Sequence, residues 1–148
     1  EQLFLSSTLL TQQLLPTMRQ ALWGRVITIT SISVVEPIDH LAVSTAMRAA
    51  VTGFHKTLAR EVAADGVTVN TVMPGVIRTD RTVALRQAKA ERNGTSLEDE
   101  MKKTEMAIPT GRMGHPEEFA NVVTFLASTQ ASYVTGANLS VDGGLRRS

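Results

Sequence analysis

The stretch TSISVVEPIDHLAVSTAMR, residues 30–48, brings two serines, a histidine and an arginine with useful chemistry close together. Ser44 and Arg48 are four residues apart, so on a helix their side chains share one face. Arg48 stays protonated and can only donate hydrogen bonds, and a serine hydroxyl is a poor acid. His40, with Asp39 beside it, is the group here whose ordinary titration lies near neutrality, which makes it a candidate proton donor. The alternative for His40 is a solvated loop residue. Ser31 closes TITS at what reads as a strand end, where a hydroxyl often satisfies backbone groups.

The flanking sequence predicts what must hold these groups. Leu3, Leu10, Leu14, Leu15 and Met18 recur at helical spacing, so 2–22 reads as a helix adjusted around Pro16. RVITIT, 25–30, is a β-branched run and reads as a buried strand. Residues 42–64 carry Ala46, Ala49, Ala50, Phe54, Leu58 and Val62 along one helical face, with Gly66 available as a left-handed cap. VTVNTV, 67–72, is a second strand, stopped by Pro74 and Gly75. Strand, long helix and strand make a βαβ unit with parallel strands. The charged segment 80–106 reads as two exposed helices broken at Asn93 and Gly94. Residues 115–128 begin with Pro116 and two Glu, a good helix start, and 138–141 supply a third strand. The alternation predicts an α/β layered sheet. Three parallel strands leave at least one edge open, and something ought to cover it.

Composition narrows the function classes. The chain has 148 residues, 43% hydrophobic and 20% charged, as expected of one folded domain. A net charge of +1 with no basic stripe argues against nucleic acid. With no cysteine, disulfides, thiolate metal sites and cysteine nucleophiles are excluded, no metal site is expected, and a cytoplasmic setting is permitted. EQLFLSSTLLTQQLL lacks the basic start of a targeting segment, and no run reaches the roughly 18–20 apolar residues of a membrane span, so the chain reads as soluble. It opens without Met, directly in a helical pattern, and so reads as starting in mid-domain.

GRVITITS, GFHKTLAREVAADGVTVNTVMPGVIRTD, IPTGRMGHPEEFANVVTFLAS and ASYVTGANLSVDGG, in this order, resemble the C-terminal half of short-chain dehydrogenases/reductases, particularly the group related to β-ketoacyl carrier-protein reductases. The resemblance implies the last three strands of a doubly wound Rossmann sheet, with the Gly-rich phosphate turn outside this chain. It also implies an NAD(P)-dependent oxidoreductase acting on a small-molecule carbonyl or secondary alcohol. In register, Ser31 falls at the family's catalytic Ser, Ser44 at its Tyr and Arg48 at its Lys, while the Asn of its proton relay falls near Leu3. Tyr133, the one tyrosine, has Ala137 rather than a lysine four residues on. The family likeness assigns Pro74, Gly75, Val76, Ile77 and Thr79 to the nicotinamide, with Arg48 able to bond its ribose. Thr79 as a plain helix cap is the alternative. Residues 80–106 match the family's variable substrate lid. The helices 2–22 and 42–64 match those that pair subunits, which implies a homodimer or homotetramer. A catalytically silent relative, kept as an oligomerisation or binding module, is the second reading, because the Tyr and Lys positions hold Ser44 and Arg48.

Overall fold

The structure, a computed structural model, describes residues 2–147. Helix α1 spans Gln2–Gln20, strand β1 Gly24–Ile29, α2 Ala42–Val62, β2 Val67–Pro74, α3 Asp80–Asn93, α4 Leu97–Met106, α5 Pro116–Ala127 and β3 Asn138–Val141. Short 3-10 turns at Ile32–Val34, Ala63–Asp65 and Thr129–Ala131 join them. The sheet order is β1-β2-β3, with every pairing parallel, as the βαβ reading requires.

Strand β2 is the central element, buried along nearly its whole length. Side chains alternate across it with the period of two that a pleated strand imposes. Val67 and Val69 pack with Leu58, Ala59 and Val62 of α2 and with Leu15 and Met18 of α1. Val72 faces the other way, into Leu126, Ala131, Phe119 and Val122. Thus α1 and α2 cover one face and α5 the other.

The polar residues of β2 have structural work. Asn70 is buried; its Nδ2 donates to the Val134 carbonyl at 2.7 Å and its Oδ1 accepts from the Ala137 N–H at 3.1 Å. The segment leading into β3 is thereby stitched to the middle of β2 before the β2–β3 ladder begins. Thr135 adds a bond, its Oγ1 accepting from the Val69 N–H at 3.1 Å.

Several expectations shift. α1 runs straight through Pro16 and ends at Gln20 rather than 22. β2 extends to Pro74, because Pro74 pairs with Val141 as the last residue of the ladder and its missing N–H ends the strand there. The buried face of α2 is Val51, Thr52, His55, Leu58, Ala59 and Val62, whereas Ala46, Ala49 and Ala50 point outward. An alanine row fits either face of a helix, so periodicity alone chose the wrong one for the first half. Gly66 does adopt the left-handed conformation, φ 73°, and a side chain there would run into the Leu22 carbonyl of the α1–β1 turn. The outer edge of β1 has no strand partner among the described residues. Beside it, Leu10, Leu14 and Met18 of α1 and residues 25–29 line an apolar groove of about 390 Å3.

Asn70→Ala leaves the partly buried Val134 carbonyl and Ala137 N–H without their partner, and is expected to destabilise the protein by about 2 kcal/mol in urea unfolding. His55 is fully buried with neither ring nitrogen hydrogen-bonded among the described residues, and burial pushes its pKa below 6.5. The unfolded chain therefore takes up this proton first, so stability is complete above pH 6.5 and falls as the pH drops toward the folded-state pKa. Unfolding curves of His55→Met are expected to lack this portion of the pH dependence.

Candidate functional site

The site forms where open α/β sheets bind ligands, at the carboxyl ends of parallel strands. β1 ends at Ile29, and the chain turns at Ser31, whose extended backbone (φ −166°) and Oγ, accepting from the Ser33 N–H at 3.1 Å, cap the 3-10 turn that follows. The backbone-satisfying role expected of a hydroxyl here is the one observed, and it leaves the Ser31 O–H free to donate.

Arg48 ties this strand end to α2. Its Nη1 donates to the carbonyl of Thr30 at 2.8 Å and to that of Ile29 at 3.4 Å, and its Nε donates to Ser44 Oγ at 3.3 Å. Ser44 and Arg48 thus meet as their spacing predicts, and they meet against the residues next to Ser31. Nη2 makes no hydrogen bond among the described residues. Sequence reasoning missed two neighbours: Thr30 Oγ1 and Thr45 Oγ1 are buried and unpartnered among the described residues. Their adjacency to Ser31 and Ser44 was the available signal. His40 is not drawn in. It is exposed, takes a left-handed backbone (φ 65°), and has no hydrogen-bond partner among the described residues.

The turn after β2 is the second wall. The Gly75 N–H donates to the Val141 carbonyl at 3.0 Å, and a Cβ at Gly75 would lie 2.6 Å from the Asp142 backbone, so only glycine permits this approach. Val76 and Ile77 are held by Gly114, whose N–H donates to the Val76 carbonyl at 3.0 Å and whose carbonyl accepts from the Arg78 N–H at 2.8 Å. Thr79 caps α3, its Oγ1 accepting from the Thr82 N–H at 3.3 Å. Behind this turn, Val76, Ile77, Gly114 and Gly143 border a cleft of about 220 Å3. Its polar rim is Glu118, bonded by both Arg112 amino groups at 2.7 Å and by the His115 N–H at 2.7 Å. The Arg112 guanidinium foremost, then the His115 N–H, brings the Glu118 carboxyl down to about 2.

α3 and α4 form a hairpin, with Gly94 (φ 65°) supplying the break foreseen at Asn93 and Gly94. Between them and Arg78 opens a cavity of about 680 Å3, walled by Val83, Leu97 and Met101 and edged by Glu98, Lys102 and Glu105. The segment is exposed, with an exception that its polarity concealed: the Glu100 side chain is 1% accessible. It pairs with Lys89 at 3.0 Å and Lys103 at 3.2 Å and accepts from Thr95 Oγ1 at 3.1 Å, fastening the two helices together. The Lys89 ammonium foremost, helped by Lys103 and Thr95, lowers its carboxyl to about 2.

Among the described residues no group of three or more His, Cys, Asp or Glu could hold a metal ion, and no helix is long and apolar enough to cross a membrane.

A parallel sheet covered by helices on both faces is the architecture of doubly wound α/β domains. The chain belongs to the short-chain dehydrogenase/reductase family; residues 4–146 match the family model described as enoyl-(acyl carrier protein) reductase. It is 40% identical over 135 residues to nodulation protein G of Azospirillum brasilense, covering 91% of this chain and 50% of that protein. It is 43% identical over 122 residues to the 3-oxoacyl-acyl-carrier-protein reductase FabG of Escherichia coli, covering 82% of this chain and 46% of that one. Among solved structures, the L-sorbose reductase of Gluconobacter frateurii, complexed with NADPH and L-sorbose, superposes with a TM-score of 0.88 at 33% identity, over 94% of this chain and 53% of that chain. YwfH, an NADPH-dependent reductase of bacilysin biosynthesis, superposes with a TM-score of 0.86 at 32% identity, over 93% of this chain and 53% of that chain. The chain spans about half the length of the curated relatives it matches.

The Glu100 contacts predict a pH signature. Because its folded pKa is lowered from 4.5 to about 2, its contribution is fully present above pH 4.5 and is lost as the pH falls toward 2. Glu100→Gln is expected to be less stable than wild type at pH 7, and the gap in melting temperature should narrow across that window.

Proposed function

We propose that residues 1–148 form one partial Rossmann-like domain of an NAD(P)-dependent oxidoreductase, acting on a small-molecule carbonyl or secondary alcohol of the 3-oxoacyl kind, with 80–106 as substrate lid. The observation that carries this reading is the Arg48 clamp, which holds Ser44 against the carboxyl end of β1. The reductase relatives favour it over a silent binding module.

The nicotinamide side of the site fits such a cofactor. Gly75 brings backbone unusually close at the end of β2, Pro74, Val76 and Ile77 continue that wall, and Thr79 retains a hydroxyl. Arg48 Nη2 is free to donate to a ribose hydroxyl. Bound NAD(P)H supplies the hydride; the protein's task is to hold the carbonyl and deliver the proton. In this reading the Ser31 O–H donates to the substrate oxygen and orients it. Ser44 stands where a phenol would be a better acid, and Arg48 stabilises negative charge on oxygen without exchanging its own proton. His40, exposed and unpartnered, has no part in the proton transfer. A well-placed general acid is worth about 10²- to 10⁴-fold, so turnover is slow rather than absent.

The oligomer in this proposal is a homodimer or homotetramer built on the outward faces of α1 and α2, where Leu9, Leu10 and Val43 are exposed beside Ala46 and Ala49. A cytoplasmic setting accords with the absence of cysteine.

The intact protein is expected to give a saturable change in NADH or NADPH fluorescence and slow ketone reduction. Ser44→Tyr with Arg48→Lys should raise kcat by about 10²-fold or more, with His40→Ala without effect. No cofactor signal at millimolar concentration would sink the oxidoreductase reading. An unchanged double variant would mean that another acid serves.

A further inference from the structure

We propose a phosphate-binding site at the base of the lid, distinct from the strand-end site and independent of the hydride-transfer reading. A cavity of about 280 Å3 lies between α3, α4, Val76 and Leu145. That is far above the ~30 Å3 share of one water, and it admits a tetrahedral oxyanion with part of its hydration. Three cations line it: Arg86 and Lys89 from α3, on one helical face three residues apart, and Lys103 from the facing α4. No carboxylate is in its wall.

The charges there are unbalanced. Glu100 lies behind Lys89 and Lys103 and pairs with both, so one carboxylate is set against three cations. Arg86 has no ion pair among the described residues, and its Nε is buried without an acceptor. A charged donor atom buried with nothing to bond is costly, and the three like charges lining the pocket repel, two of them on half-exposed lysines paired with Glu100. An anion with several acceptor oxygens relieves both. Phosphate suits guanidinium and ammonium donors together, whereas chloride offers no directed acceptors. The Thr104 hydroxyl is already committed to the Glu100 carbonyl at 2.8 Å, so recognition rests on the cations. Because Val76 belongs to the turn that leaves β2, an occupant there fastens the lid hairpin to the wall of the strand-end site.

Free inorganic phosphate and the phosphate group of a small ester share this chemistry. The test titrates the intact protein with inorganic phosphate at constant ionic strength, balanced with chloride, and follows the melting temperature and the phosphorus NMR linewidth. Saturable stabilisation by phosphate, absent with chloride, is expected. Arg86→Gln, which breaks no ion pair, should weaken it about tenfold or more. Ala107→Glu places a carboxylate in the exposed wall, should do the same, and carries the test if Arg86→Gln does not fold. Methyl phosphate binding as tightly as inorganic phosphate assigns the site to an ester; exclusion of methyl phosphate with phosphate still bound assigns it to the free ion. No saturation beyond the chloride control, or unchanged affinity in the variants, overturns the proposal.

Discussion

The structure is organised by what a central parallel strand requires, partners along both edges and cover on both faces, since its slanted ladder and apolar side chains leave little suited to water. β2 meets it fully, with β1 and β3 as neighbours, α2 below and α5 above. The rest of the fold can be read as what β2 demands. Asn70 matters because it ties the segment leading into β3 to the middle of β2, next to the point where the β2–β3 ladder starts. The candidate site groups are positioned by this strand, for the turn at Gly75 is its continuation and Thr30 donates its N–H to the β2 carbonyl of Val72 at 3.0 Å.

Legibility in the sequence followed the strength of the local signal. β-branched runs, the Asn93-Gly94 break, Pro116 and the left-handed Gly66 each name a backbone state almost by themselves, and those elements appear close to where they were read. Alanine carries little facial information, so the outward turn of Ala46, Ala49 and Ala50 was hidden until the partners of α2 were seen. Glu100 was hidden for a different reason. Its burial comes from two lysines and a threonine converging on it, Lys89 from across the hairpin, which no periodicity encodes.

The candidate site divides in the same way. The meeting of Ser44 with Arg48 follows from helical spacing alone, and it occurs. That Arg48 makes two of its three hydrogen bonds to strand-end carbonyls does not follow from spacing, because those acceptors are eighteen and nineteen residues away in sequence. This changes how the arginine is understood: it braces the backbone that leads into Ser31 as much as it addresses any ligand. His40 was suggested by its chemical type, its neighbour Asp39 and its place four residues before Ser44; it takes a left-handed backbone and is exposed, without a hydrogen-bond partner among the described residues.

The opposite end of the sheet carries a quieter consequence. Leu22 sits at φ 52°, and Gly66, also left-handed, lies against its carbonyl with no room for a methyl group. A left-handed non-glycine residue costs on the order of 1–2 kcal/mol, so the two crossovers that feed β1 and β2 are locked together at some expense. Tolerance to substitution is therefore expected to be unequal along the sheet. The amino end of the sheet is the less forgiving pole, whereas most of the α3–α4 hairpin is exposed surface held by one buried carboxylate and its lysines. A methyl group at one glycine, far from the strand-end site, would disturb this join more than most changes on the exposed hairpin would disturb the fold.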